Sequence, residues 1–128
     1  MATYSSFEDL PVWQHAVEVY VEVYKLCERT KLKHDYKMRS QLLDAASSIS
    51  NNIAEGFEYN SNKSFHNFLR IAKGSSGETR NELLLSMRVG MIEAADYNTL
   101  RLKLISLSNE ISGFMDYLKN NPRKRSFE

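Results

Sequence analysis

The chain has 128 residues, 42% of them hydrophobic and 26% charged, the balance of a soluble globular protein with one core rather than of a disordered segment. Its 17 Lys and Arg against 16 Asp and Glu leave a net charge of +1, which excludes the global positive field of a sequence-blind nucleic-acid binder, so any such binding must come from a local patch. The single cysteine, Cys27, excludes an internal disulfide, no apolar run approaches the roughly 20 residues that span a bilayer, and Met1 to Ser6 lack the regions of a signal peptide; a cytoplasmic location is expected.

Apolar residues recur at spacings of three and four, with only 2 prolines and 5 glycines, which predicts helices throughout. The first helix is expected to open near Asp9 to Pro11, to bury a stripe of Trp13, Ala16, Val17, Tyr20, Tyr24 and Cys27, and to stop near Arg29 to Lys33. A second is expected from about Asp35 to Phe57, with Met38, Leu42, Ala45, Ala46, Ile49 and Ile53 inward and Gly56 near its end. Asn60 to Ser64 is the clearest turn. Either Ser61 or Asn62 suits the cap of a third helix, and Ser61 is preferred.

The third helix carries Phe65, Phe68, Leu69, Ala72, Leu83, Leu84 and Met87, and reaches the last three only by passing through Gly74-Ser75-Ser76-Gly77. Two glycines there cost about 1 kcal/mol each relative to alanine, so a break at Gly74 competes with a continuous helix. The periodicity on either side stays in phase and favours continuity. The fourth helix is expected from Asp96 to Asn98 onward, burying Leu100, Leu104, Leu107, Ile111, Met115 and Leu118, and ending at Asn120-Asn121-Pro122. Four amphipathic segments joined by short links predict an all-α, antiparallel up-down-up-down four-helix bundle. Residues 1–122 would form that one domain, with a short disordered N-terminus, and 123–128 a basic tail.

Catalytic and metal-binding constellations are missing. His15, His34 and His66 fall on different segments, and the single His15/Glu18 pair reverses the Glu-x-x-His order of carboxylate-bridged di-iron bundles. Cys27 reads as a small packing residue, and Gly74 to Gly77 lacks the lysine of a phosphate loop. The chain is therefore expected to be no enzyme and to need no metal or other cofactor. Ser48, Asn52 and Glu55 stand four and three apart and share one helix face, so they are expected to form a structural polar network with Arg70, or alternatively Lys73, of the third helix. The same network fits equally between subunits.

Basic residues gather in two places, Lys25, Arg29, Lys31 and Lys33 at the end of the first helix and Arg123, Lys124 and Arg125 in the tail. By default both are solvated charge, the first complementing a helix dipole. Antiparallel topology puts them at opposite ends of one bundle. In an oligomer each cluster would be repeated about an axis, which makes all seven side chains candidates for nucleic-acid contact.

The motifs Asp9-Leu10, Val12-Trp13-Gln14, Gln41-Leu42, Ser48-Ile49, Asn52-Ile53-Ala54-Glu55-Gly56, Phe68-Leu69, Ile71-Ala72 and Gly74-Ser75, in this order, resemble the four-helix-bundle proteins encoded in intervening sequences of bacterial 23S ribosomal RNA genes. The resemblance runs from Phe7 to about Leu118. It departs at Ser50, where the family commonly has proline, at Tyr59, where it has arginine, and in the Thr30 to Lys33 loop, which lacks the usual Phe-Pro. It implies a homopentamer without established biochemical role, and a relation to the accessory protein of diversity-generating retroelements, whose basic pentameric barrel binds a reverse transcriptase and nucleic acid. Two functions follow as expectations: an oligomeric adaptor for structured RNA or a nucleic-acid-processing enzyme, and alternatively a protein-interaction scaffold presenting exposed aromatics such as Tyr4, Tyr59 or Tyr97. Neither calls for a small-molecule substrate or a membrane.

Overall fold

The computed structural model describes residues 4–121. Ser6 accepts the amide of Glu8 to open a 3-10 turn over Phe7–Asp9, and helix α1 follows as Pro11–Arg29, with proline in the first turn where no amide partner is needed. Thr30 ends α1 with a double role: its hydroxyl donates to the Leu26 carbonyl at 2.8 Å and accepts the Leu32 amide at 3.4 Å, starting a 3-10 segment over Lys31–His34. Asp35 then caps α2, Tyr36–Glu58, by accepting the Met38 amide at 3.1 Å. Ser61 caps α3, Asn62–Arg88, by accepting the Ser64 amide at 3.0 Å.

Helix α3 is continuous through Gly74 and Gly77. It stops where Gly90 takes a φ of 80°, with the Met91 amide bonded back to Ser86 and the Gly90 amide to Met87, a turn that only glycine enters without strain. Helix α4 runs Ala94–Asn120, opening two residues before the expected Asp96. Among the described residues there is no strand, and the four helices form the all-α bundle that the hydropathy pattern predicts.

Hydrogen bonds and ion pairs fix the antiparallel order. Ser48 of α2 meets Ser75 of α3 at 2.8 Å, and Ser76 of α3 meets Ser108 of α4 at 2.8 Å, so α3 is gripped on two sides by hydroxyls. Ser75, Ser76 and Thr79 are buried in a helix that the sequence reads as glycine-weakened. Their small side chains let α2 and α4 approach α3 more intimately than either approaches α1, and each buried hydroxyl finds an acceptor in its own helix or the neighbouring one. At the α2–α3 turn, Gly56 has no room for a side chain: a Cβ would stand 2.6 Å from the Phe68 Cβ and 2.9 Å from the Phe65 Cδ1.

Helices α1 and α4 close the bundle by a ladder of three ion pairs: His15 to Glu110 at 2.8 Å, Glu22 to Lys103 at 2.6 Å and Arg29 to Asp96 at 2.8 Å. Each rung is seven residues further along α1 and seven further back along α4. A spacing of seven keeps one seam of each helix facing the other when the pair crosses at a shallow left-handed angle.

The core holds Leu42, Ile49 and Ile53 of α2, Phe65, Leu69 and Leu83 of α3, and Leu104 and Ile111 of α4. From α1 it takes Val12, Ala16, Val19, Val23, Leu26 and Cys27, which corrects the expected stripe: Trp13, Val17 and Tyr20 are half-buried and Tyr24 is exposed. Helix α1 is apolar over most of its circumference, and its shorter aliphatic side chains turn into the core while the aromatics lie along the margin. Trp13, for instance, packs edge-on against Phe7 with centroids 5.3 Å apart. Met38, Phe68, Leu84, Met87 and Met115 are likewise marginal rather than central.

Candidate functional site

Two features of the sequence reading converge in space and one does not. Ser48 and Asn52 lie one turn apart on α2, and the Asn52 amide donates to the Ser48 carbonyl at 2.8 Å and to its hydroxyl at 3.0 Å. With Ser75 they make a half-buried polar seam between α2 and α3. Glu55 and Arg70 stay outside it: both are exposed, and neither forms an ion pair among the described residues. Helix geometry gives the reason. Ser75 faces α2, and Arg70, five residues earlier, points about 140° around α3 from it, away from Glu55. Lys73 is exposed and equally without an ion pair among the described residues.

Lys25, Arg29, Lys31 and Lys33 are all exposed at the end of the bundle where α1 stops. Arg29 is committed to Asp96. The fold adds residues that linear clustering misses. Helix α2 begins at this end and brings exposed Lys37, and α3 finishes here and brings exposed Arg88. Tyr36 is 79% exposed and Val89 62%, so aromatic and apolar surface lies among the bases. Acids at this end are fewer than the basic residues, and three of the four are engaged: Asp35 caps α2, Glu28 pairs with Arg39 at 3.3 Å and Asp96 with Arg29, while Glu93 at the start of α4 is exposed. The result is a locally positive end on a nearly neutral chain, built from three helices and a connecting turn. Arg123, Lys124 and Arg125 lie outside the described residues.

Between the His15–Glu110 and Glu22–Lys103 rungs of the α1–α4 ladder runs an open groove of about 520 Å³, floored by Val19 and Leu107 and edged by His15, Glu18, Glu22, Lys103, Ser106 and Glu110. The hydrogen bond to Glu110 raises the His15 pKa above its ordinary 6.5, more than its slight desolvation lowers it, and the charges of Glu110 and Glu18 add to the rise. Ser106 lines the same groove, and the imidazole Nδ1 of His15 is bonded to Glu110 at 2.8 Å. Burial pushes the Cys27 thiol up, against a smaller downward pull from Arg39, the reverse of a reactive cysteine. No group of three or more His, Cys, Asp or Glu side chains able to hold a metal occurs among the described residues.

A family model described as 23S rRNA-intervening sequence protein matches residues 8–113. The chain belongs to that family. A comparison with curated proteins gives no match. Among solved structures, the chain resembles a protein of unknown function from the S23 ribosomal protein family of Bacteroides thetaiotaomicron, at 25% identity over 81% of this chain and 97% of that one, with a TM-score of 0.73.

As a 23S rRNA-intervening sequence protein, the chain keeps its motif residues Ser48, Asn52 and Ser75 on the α2–α3 seam, and Gly56 where the two helices touch. Its departures are accommodated locally. Ser50, in place of the usual proline, continues α2 and donates its hydroxyl to the Ser47 carbonyl at 3.3 Å. Tyr59, in place of the usual arginine, stacks on Phe68 with centroids 5.1 Å apart. Among the described residues no helix is long and apolar enough to cross a membrane.

Proposed function

We propose that this protein is a non-catalytic, oligomeric adaptor that binds the phosphate backbone of structured RNA through its basic end. The observation that carries the reading is the convergence of Lys25, Lys31, Lys33, Lys37 and Arg88 from α1, α2, α3 and the α1–α2 turn onto one end of a chain whose net charge is only +1. Phosphate contacts supply affinity without sequence preference, and exposed Tyr36 offers an unpaired base a surface for stacking. One copy presents few charges. Repeating the end about an axis multiplies them, which is why assembly belongs to the function.

The test is RNA affinity as a function of salt, measured on a structured RNA. Affinity should fall steeply with added salt, and each of Lys31→Ala, Lys33→Ala and Lys37→Ala should weaken binding across sequences and reduce the salt slope by about 1. Absence of binding at about 50 mM salt, or binding indifferent to salt, refutes the reading. The scaffold reading is favoured by a different observation, Tyr59 at 47% exposure at the α2–α3 turn, and nuclease-insensitive capture of a partner dependent on Tyr59 would support it. Tyr4 and Tyr97 are half-buried against the core and serve it less well.

A further inference from the structure

Charge on α3 is sorted by face. The helix carries five bases, Lys63, Arg70, Lys73, Arg80 and Arg88, and two acids, Glu78 and Glu82. At about 100° per residue, counted from Ser75, which meets α2, the bases fall between about 140° and about 240° and the acids at about 300° and about 340°. Ser76, at about 100° on the same count, bonds to Ser108 and to the Leu104 carbonyl of α4. The basic arc is therefore the outward face of α3 on its α4 side, and the acids lie on the α2 side. Arg80 is half-buried and the other four bases are exposed; none forms an ion pair among the described residues, whereas Arg29, Arg39 and Lys103 elsewhere do.

Helix α4 extends the same sign. From Tyr97 to Asn109 it has no acid, and the flanking Asp96 and Glu110 are turned to α1 in ion pairs. Arg101 is exposed, and seven residues from Ser108 it lies on nearly the face that meets α3, about 10 Å nearer the basic end; Arg80, four residues from Ser76, is about 6 Å along in the same direction. The two arginines thus flank one seam at similar heights. Arg80 is packed into it, and its Nε is buried without a hydrogen-bond partner. That is a donor left over from the fold, which a phosphate, accepting two parallel bonds from one edge of a guanidinium, would satisfy.

Position and composition select the ligand. Arg88 belongs to the basic end already described, and from it the stripe continues through Arg80 to Lys73, about 22 Å down α3. The arc holds no Phe, Tyr or Trp and, of large aliphatic side chains, only half-buried Leu84. It lacks the apolar centre of a protein interface and the stacking platform that grips a single strand, and it offers spaced positive charge alone. Double-stranded RNA is held in that manner, through its backbone. We infer that the α3–α4 face, through Lys73, Arg80, Arg88 and Arg101, carries the phosphate backbone of a double-stranded RNA stem whose unpaired loop reaches Tyr36 and the lysines of the basic end. The inference deepens the proposed function and rests on its RNA reading.

The experiment is affinity as a function of salt, by fluorescence anisotropy on the full chain, for three probes: a stem-loop RNA, its stem as a blunt duplex, and a single strand of the same length. The variant Lys73→Gln/Arg80→Gln/Arg101→Gln should keep its helicity by circular dichroism, weaken binding of the stem-loop and the duplex, and lower the salt slope on both by about 3, one for each lost phosphate contact. Because Arg80 is half-buried, Lys73→Gln/Arg101→Gln, at two exposed positions, is measured as well and should lower the slope by about 2. An unchanged slope for either variant, or a loss as large on the single strand as on the duplex, overturns the inference. So does a nuclease-insensitive protein partner whose capture depends on these residues while RNA affinity does not. If wild type binds no RNA, the stripe falls with the proposed function. If RNA binding depends on Lys31 and Lys33 but not on the stripe, the stripe falls alone; if it depends on the stripe but not on those lysines, the basic end falls and the stripe stands.

Discussion

Adding one methyl group should have opposite effects at two glycines of this bundle. At Gly56 the new Cβ would stand 2.6 Å from the Phe68 Cβ and 2.9 Å from the Phe65 Cδ1, where carbon atoms settle at about 3.5–4 Å. The Phe65 ring can turn, but a Cβ moves only with its backbone, so α2 and α3 must part by about 1 Å at their closest point. Such overpacking costs typically about 1–3 kcal/mol, and the helix-propensity gain of alanine, smaller here in the last turn, offsets less than about 1 kcal/mol of it. At Gly113 of α4, exposed and with nothing within 4 Å of its Cβ position, the same substitution meets no obstacle and should stabilise by about 1 kcal/mol. Urea unfolding of Gly56→Ala and Gly113→Ala should therefore move the midpoint in opposite directions, with the free energies separated by about 2 kcal/mol. Equal stabilisation of both variants would refute the claim that Gly56 is a contact point rather than a helix-end glycine.

Other consequences are testable separately. Because Glu110 raises the His15 pKa, the pair contributes stability fully present below pH 6.5, the ordinary value, and lost as pH rises through the higher folded value. Wild type should accordingly lose melting temperature relative to His15→Gln on going from acid to mildly alkaline buffer, and an NMR titration should show the His15 pKa falling back in Glu110→Gln; an unmoved titration would discount the rung. The Cys27 thiol, buried and shifted upward, should resist a thiol reagent in the native protein and react only on unfolding, and rapid native labelling would contradict its placement. Ser76→Ala should destabilise by about 1 kcal/mol in urea, because it removes both the bond to the Leu104 carbonyl and the partner of the Ser108 hydroxyl; no loss would mean that these bonds exchange freely with water.

Much of the fold is legible in the sequence because local chemistry and periodicity agree. Ser61 lies between a turn and an apolar period, and it caps α3 as expected; continuity through Gly74 follows from the unbroken phase of Leu69, Ala72 and Leu83. Periodicity alone misplaces the α1 face, since a helix apolar on several sides offers two stripes and only the neighbours decide between them. The buried hydroxyls Ser75, Ser76 and Thr79 were unreadable for another reason: their types are surface types, and their burial depends on partners 27 to 32 residues distant in the cases of Ser75 and Ser76. Of the expected polar network, the spacing of Ser48 and Asn52 sufficed for the pair itself. The link from Glu55 to Arg70 required the rotation of α3, which no single-helix pattern contains. Lys37 and Arg88 join the basic end only through topology, being far apart along the chain.

The three-rung ladder between α1 and α4 has a kinetic meaning. Hairpins α1–α2, α2–α3 and α3–α4 each join neighbours in sequence, but α1 meets α4 only after nearly the whole chain has been laid down, along a seam edged by three charge pairs. The seam should therefore close last in folding and part first in native-state fluctuations, with α1 lifting from a still intact α2–α3–α4 body. Raising ionic strength should loosen this hinge before it weakens anything else. Amide hydrogen exchange should then quicken along α1 while the Ser75 to Thr79 stretch of α3, held on both sides, remains the slowest part of the molecule.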